Sequence, residues 1–365
     1  MIFSLLTNIL LFGCRIGKPQ TPYEPSTEEP STEEPSTEEP STEEPASETS
    51  TEPAGEPTNE PSQPSNEPQR PSNTPINEGS FEVNVENTTV SLSTADIDLH
   101  TFYPTSTGVF PIVVFHHGFQ LSAENYLSYG QHLASWGFVV VMPSIESSLF
   151  DPYTHAELGT LSSETVDYLS SNTLISQKGD LEKIALAGHS LGGKIAMYHA
   201  SFDDRISAVF AIDPVDSAGG PFNSVGEDFP SVTPELMGDI SIPIGLIGEL
   251  TNATCSGFCQ PCAPEEDNFV QYYTHATSSA IQIEIIGANH MSFLDDPDCG
   301  FTCDVCTEGT DDPEISRKIT QKYMVSFLYH SMMNNSQFDD CLFGLWMEED
   351  TEAGLASTVH QGFSE

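Results

Sequence analysis

The chain has 365 residues, with 55 Asp and Glu against 10 Lys and Arg, for a formal net charge of −45. So few cations exclude the basic surface that nucleic-acid phosphates need and the polybasic patch that holds a protein on anionic membranes. Residues 1–79 carry 14 of the 27 prolines, 15 acids and three bases, which leaves 40 acids and seven bases, or −33, on residues 80–365. That remainder is long enough for one large core.

The first element in the chain is a short apolar run, residues 2–12, followed by Gly13-Cys14. It is too short to span a bilayer and suits the core of a signal peptide, although no Lys or Arg precedes it. Leu11-Phe12-Gly13-Cys14 resembles the lipobox of bacterial lipoproteins, which implies lipidation of Cys14. Four copies of Pro-Ser-Thr-Glu-Glu fill Pro25–Glu44, and the Pro, Ser, Thr, Glu and Asn bias continues to about Asn77. Such a segment has too little apolar side chain to offset chain entropy and is expected to be a disordered tether. The expected organisation is a signal peptide and lipobox at 1–14, a tether at 15–79, one folded domain at 80–342 and an acidic C-terminal tail at 343–365.

Within the domain, apolar β-branched runs predict strands at Ile112–His116, Phe138–Met142, Ile184–Ala187, Ala208–Ile212, Ile242–Gly248 and Ile281–Ile286. Phe81–Leu92 is read as an edge hairpin. Helices are predicted at Ala123–Trp136, Ser163–Ser170, Leu191–Ser201, Asn268–Thr274 and Pro313–Met333. Near-continuous apolar strands alternating with helices imply an α/β fold, a mostly parallel sheet covered by helices on both faces. Chemistry is then expected just beyond the carboxyl ends of the strands.

The strongest motif lies there: Gly188-His189-Ser190-Leu191-Gly192, between a strand and a helix. A G-x-S-x-G turn in that context is a nucleophile elbow, which lifts a serine hydroxyl out of the sheet. A second backbone donor is expected from His116-His117-Gly118-Phe119, so the oxyanion hole is assigned to the N–H groups of Phe119 and Leu191. His116 and His117 are read as shaping that loop.

A serine nucleophile needs a base later in the chain. His199 sits on the elbow helix, His275 precedes the last predicted strand, His330 lies in the terminal helix and His360 in the polar tail. His290, directly after Ile281–Ile286, is the candidate. Asp213, 23 residues after Ser190 at the end of its strand, is the chosen acid, with Asp216 and Glu249 as alternatives.

From about Val109 to Met333 the chain resembles the chlorophyllase branch of the α/β-hydrolases, related to cutinase-like polyester hydrolases and platelet-activating-factor acetylhydrolases. The stretches that carry this are Phe110-Pro-Ile-Val-Val-Phe-His-His-Gly-Phe, His132-Leu-Ala-Ser-Trp-Gly-Phe-Val-Val-Val-Met-Pro and Leu186-Ala-Gly-His-Ser-Leu-Gly-Gly-Lys. Ala211-Ile-Asp-Pro-Val-Asp, Pro261-Cys-Ala-Pro and Asn289-His-Met-Ser-Phe-Leu-Asp-Asp add to them. The resemblance implies an α/β-hydrolase fold with Asp213 and His290 as triad partners. Plant chlorophyllases carry Arg after the nucleophile where this chain has Leu191, so a pigment substrate does not follow.

Six cysteines form a duplicated spacing, Cys255-x₃-Cys259-x₂-Cys262 and Cys299-x₃-Cys303-x₂-Cys306. Clusters of three without nearby histidine spacing fit a tetrahedral zinc site poorly, and an iron–sulfur reading suits neither the position nor the duplication. Disulfides in an exported protein are expected, with Cys341 free or paired elsewhere. The sequence thus predicts an exported, monomeric serine carboxylic-ester hydrolase without metal or organic cofactor, meeting a membrane only through a lipidated N-terminus. Chlorophyll-type esters, polyesters and short acyl esters compete as substrates. A catalytically dead binding module is the rival from another class.

Overall fold

The computed structural model describes residues 74–145, 152–217, 226–255, 261–298, 300 and 303–363. The expected signal peptide with Cys14, the expected tether up to residue 73, Cys259 and Cys299 lie outside the described residues. The strands are β1 (Val83–Ser91), β2 (Asp96–Pro104), β3 (Phe110–His116), β4 (Val139–Ser144), β5 (Gly179–His189), β6 (Ile206–Ile212), β7 (Ile244–Gly248), β8 (Ala280–Ile285) and β9 (Ala356–Gln361). The helices are α1 (Leu127–Ser135), α2 (His155–Ser171), α3 (Thr173–Lys178), α4 (Leu191–Ala200), α5 (Phe269–His275), α6 (Pro313–Met333), α7 (Asp340–Phe343) and α8 (Leu345–Glu352).

All these strands form one sheet in the order β1-β2-β4-β3-β5-β6-β7-β8-β9. From β4 through β8 the pairs are parallel, and the sheet is antiparallel only toward its two edges. Side chains alternate across the pleat. Val113, Phe115 and Phe210 join a core with Tyr129 of α1 and Phe327 of α6. Ile112, Val114 and Val209 face the opposite core, with Val166 of α2, Met197 of α4 and Tyr272 of α5. Both sheet faces are therefore buried, which is why the inner strands read as unbroken apolar runs. This is the α/β-hydrolase architecture that the sequence implied.

Several boundaries differ from expectation, each for a local reason. Phe81–Leu92 holds one strand of the edge hairpin; its mate is β2, hidden from the sequence by Asp96, Asp98, His100 and Thr101. Helix α2 starts at His155 because Thr154 and Glu157 form a capping box, the Thr154 hydroxyl accepting from Glu157 N–H at 3.1 Å. Residues 74–79 are not free tether. His132 Nε2 donates to Pro75 O at 2.8 Å, Trp136 Nε1 to Asn77 O at 3.0 Å, and Gly79 N–H to Ser135 Oγ at 2.7 Å. Nor is 343–365 a tail: α8 packs there, and β9 pairs along β8 from Ala356 to Gln361.

Candidate active site

The chain turns sharply between β5 and α4. Ser190 alone separates them, at φ 55° and ψ −121°. A positive φ on a non-glycine residue costs of order 1–3 kcal/mol and persists only where the surroundings hold it. Here the Ser190 N–H donates to Ile212 O at 2.9 Å, and Ser190 O accepts from Lys194 N–H at 3.0 Å. The motif's glycines serve close approach: a Cβ on Gly192 would lie 2.2 Å from His116 O, and one on Gly188 2.5 Å from the Gly192 carbonyl carbon.

Two loops from other strand ends meet the serine. His290, in the loop after β8, places Nε2 at 2.9 Å from Ser190 Oγ and Nδ1 at 2.6 Å from Asp213 Oδ2. Asp213 is fully buried at the end of β6, at φ 42°, and its N–H donates to Ile247 O. Ser190, His290 and Asp213, far apart in the chain, are thus one hydrogen-bonded row.

The two alternative acids have other partners. Asp216 accepts from Ser231 Oγ, from Val232 and Thr233 N–H and from Thr233 Oγ1, and pairs with Lys194 Nζ at 3.1 Å. Glu249, after β7, lies behind the row: its N–H donates to Asp213 Oδ1 at 3.3 Å, and its Oε2 accepts from Asn252 N–H at 2.8 Å. Asn252 Oδ1 in turn accepts from His290 N–H at 2.7 Å. Burial and the adjoining Asp213 charge push the Glu249 carboxyl up to about 9, so it stays protonated at neutral pH.

A second buried chain ties the same loops together. Gly118 N–H donates to Tyr126 Oη at 3.3 Å, Tyr126 O–H to His189 Nδ1 at 2.7 Å, and His189 Nε2–H to His290 O at 2.9 Å. Burial and the nearby His290 hold His189 well below the usual imidazole range, so it remains neutral. His117 donates from Nδ1 to Gly118 O and accepts from Ile145 N–H at Nε2, and His116 bonds Ser162 Oγ at 2.8 Å. Both shape the loop after β3.

The expected oxyanion donors both belong to residues at the cavity of Ser190. Phe119 and Leu191 line the cavity that holds Ser190, and Leu191 opens α4, where an N–H has no acceptor within the helix. This cavity, of about 280 Å³, is walled mostly by apolar groups, among them Leu121, Val215, Phe229, Met291 and Val305. His189, Asp213 and His290 bring ligand-type atoms within 4.8 Å of one another. Those ring nitrogens are already engaged by Tyr126, the His290 carbonyl, Asp213 and Ser190.

The other candidate histidines lie elsewhere. His199 bonds Ser162 and Asp203, His275 Nδ1 donates to Gln271 O, His330 meets Asp339, and His360 packs on Phe343. Cys262 and Cys306, one from each cysteine cluster, form a disulfide in the cavity wall. Cys255 and Cys303 are also disulfide-bonded, whereas Cys341 is a buried free thiol.

The model of the chlorophyllase family matches residues 73–342, about three quarters of the chain. The chain belongs to the chlorophyllase family. Chlorophyllase-1 of Arabidopsis thaliana is 27% identical over 244 residues, covering 63% of this chain and 74% of that protein. The chloroplastic chlorophyllase-1 of Citrus sinensis is 28% identical over 235 residues, covering 62% and 69%. The bis(hydroxyethyl) terephthalate hydrolase of Streptomyces coelicolor is 30% identical over 115 residues, covering 31% and 36%. Membership places this chlorophyllase-family chain among the hydrolases. No helix among its described residues is long and apolar enough to cross a membrane.

Sequence reasoning passed over His189, Tyr126, Asn252 and the cavity wall. His189 carried a signal, since it sits inside the elbow motif; Tyr126 and Asn252 carried none and are found only through their partners.

Proposed function

We propose that the chain is a serine carboxylic-ester hydrolase. The observation that carries this reading is the unbroken row Ser190–His290–Asp213 opening into an apolar cavity. Ser190 Oγ attacks the ester carbonyl carbon while His290 Nε2 takes its proton. Asp213 orients the ring through Nδ1 and offsets the imidazolium charge. The N–H groups of Phe119 and Leu191 receive the tetrahedral oxyanion. Collapse expels the alcohol, which takes the proton from His290, and leaves an acyl group on Ser190. A water deprotonated by His290 then releases the acid and restores the serine.

The substrate is an ester with an apolar body. Chlorophyll-type phytyl esters are the first reading, from the family; terephthalate-type and short acyl esters are the alternatives, from the Streptomyces relative and the open cavity. Turnover of chlorophyll, bis(2-hydroxyethyl) terephthalate and p-nitrophenyl butyrate by the purified protein ranks them. Ser190→Ala is expected to lower ester turnover by about 10⁴-fold or more with an unchanged melting temperature. It is also expected to abolish labelling by a fluorophosphonate probe. Turnover that survives the substitution would overturn the mechanism, and a wild type that neither labels nor turns over would favour a binding module. The apolar run before Cys14 and the disulfides further support an exported, tethered enzyme.

A further inference from the structure

The catalytic row does not use every polar side chain of the cavity. His155, the first residue of α2, lines the cavity together with Ser190 and His290, and is only 7% exposed. Its Nδ1 is buried without a hydrogen-bond partner. Its ring is held edge-on against Phe229, with centroids 5.0 Å apart. Nδ1 is the enclosed side of the ring, which leaves Nε2 as the nitrogen that can meet a ligand in the cavity. An enclosed lone pair is tolerated better than an enclosed N–H, so the ring proton belongs on Nε2 and the side chain is a hydrogen-bond donor. Burial and the Lys194 ammonium hold His155 down to about 3, so the ring stays neutral across the physiological range.

We propose that His155 is a specificity residue, donating a hydrogen bond to a second carbonyl oxygen on the substrate, remote from the ester that Ser190 attacks. The preferred substrates are then diesters and keto-esters rather than simple monoesters. This inference rests on the esterase reading above and deepens it. A site built to pair a polar group discriminates against substrates that lack it, because its own donor is then left unpaired.

The test compares bis(2-hydroxyethyl) terephthalate with 2-hydroxyethyl benzoate, which lacks the distal carbonyl. For the full-length protein, kcat/KM on each ester is measured for wild type, His155→Leu and His155→Gln. The diester-to-monoester ratio of kcat/KM is expected to fall about tenfold in His155→Leu and to recover largely in His155→Gln, whose amide N–H can donate. An unchanged ratio in His155→Leu, or a glutamine variant no better than leucine, would overturn the proposal. If the leucine variant melts early, His155→Phe replaces it, since an aromatic ring preserves the packing on Phe229. A wild type that hydrolyses chlorophyll but neither of these esters would overturn this inference, whereas one that hydrolyses none of them, nor p-nitrophenyl butyrate, would overturn the esterase reading.

Discussion

Glu249 shows how a residue's chemistry is set by what lies beside it. From the chain alone it is a strand-end acid, an alternative to the chosen Asp213 for holding the histidine. In the fold it is fully buried against Asp213, and two adjoining carboxylates in a dry site cannot both ionise. Its proton is retained in the folded state up to about 9, against an ordinary value of 4.5. Between those values the unfolded chain gives up the proton while the folded chain keeps it, so stability contributed by this group falls as pH rises. Glu249→Gln removes that slope. The melting temperature of the variant, relative to wild type, should therefore climb as pH rises from about 5 to about 8.5. A difference that stays flat across the range would mean that Glu249 is ionised in the native protein. Ser190, His290 and the choice of Asp213 were legible because a motif, a strand-end position or the family resemblance marks them; setting Asp216 and Glu249 aside was not, since it depends on which carboxylate the loops bring to Nδ1.

Elements are fixed by their ends and by what is trapped between them. Lys194 of α4 and Asp216 of the loop after β6 are both fully buried, and Lys194 Nζ also donates to Ser217 O at 3.0 Å. Asp216 collects the N–H and hydroxyl groups of residues 231–233, so one ion pair anchors the helix behind the nucleophile to the loop that carries Val215 and Ser217 into the cavity wall. Breaking such a pair on one side leaves a buried charge uncompensated. Lys194→Met is expected to cost about 3–5 kcal/mol in urea unfolding followed by tryptophan fluorescence, and a loss below about 1 kcal/mol would show that the pair does not anchor the wall. The same scale explains the missed strands. β2 and β9 are rich in polar residues, and their strand character comes from pairing with β1, β4 and β8. The inner strands needed no such help, being apolar on both faces.

Over the whole molecule, the excess acid is scarcely neutralised by the few cations present. Among the seven on residues 80–365, Lys194 and Lys322 are buried in pairs with Asp216 and Asp350, and Arg205, Arg317 and Lys318 each meet an acidic partner. Like charge remains across the domain and opposes the compact state, a repulsion that salt screens as the Debye length falls from about 10 Å at 0.1 M to about 3 Å at 1 M. The urea midpoint is expected to rise between 0.05 and 0.5 M NaCl; a constant or falling midpoint would show that self-repulsion is not a significant term. By itself the sequence determined the parallel sheet, the elbow serine and the histidine after the last parallel strand, because apolar runs and glycine-bounded turns are local signals. Tertiary structure decided between Asp213, the acid chosen from the sequence, and its alternatives at that histidine, added a helix and an edge strand within residues 345–361, and set the His155 imidazole in the wall of the Ser190 cavity. Each of these depends on groups distant in the chain sharing one dry space, where pairing and proton affinity depend on the neighbours rather than on residue type.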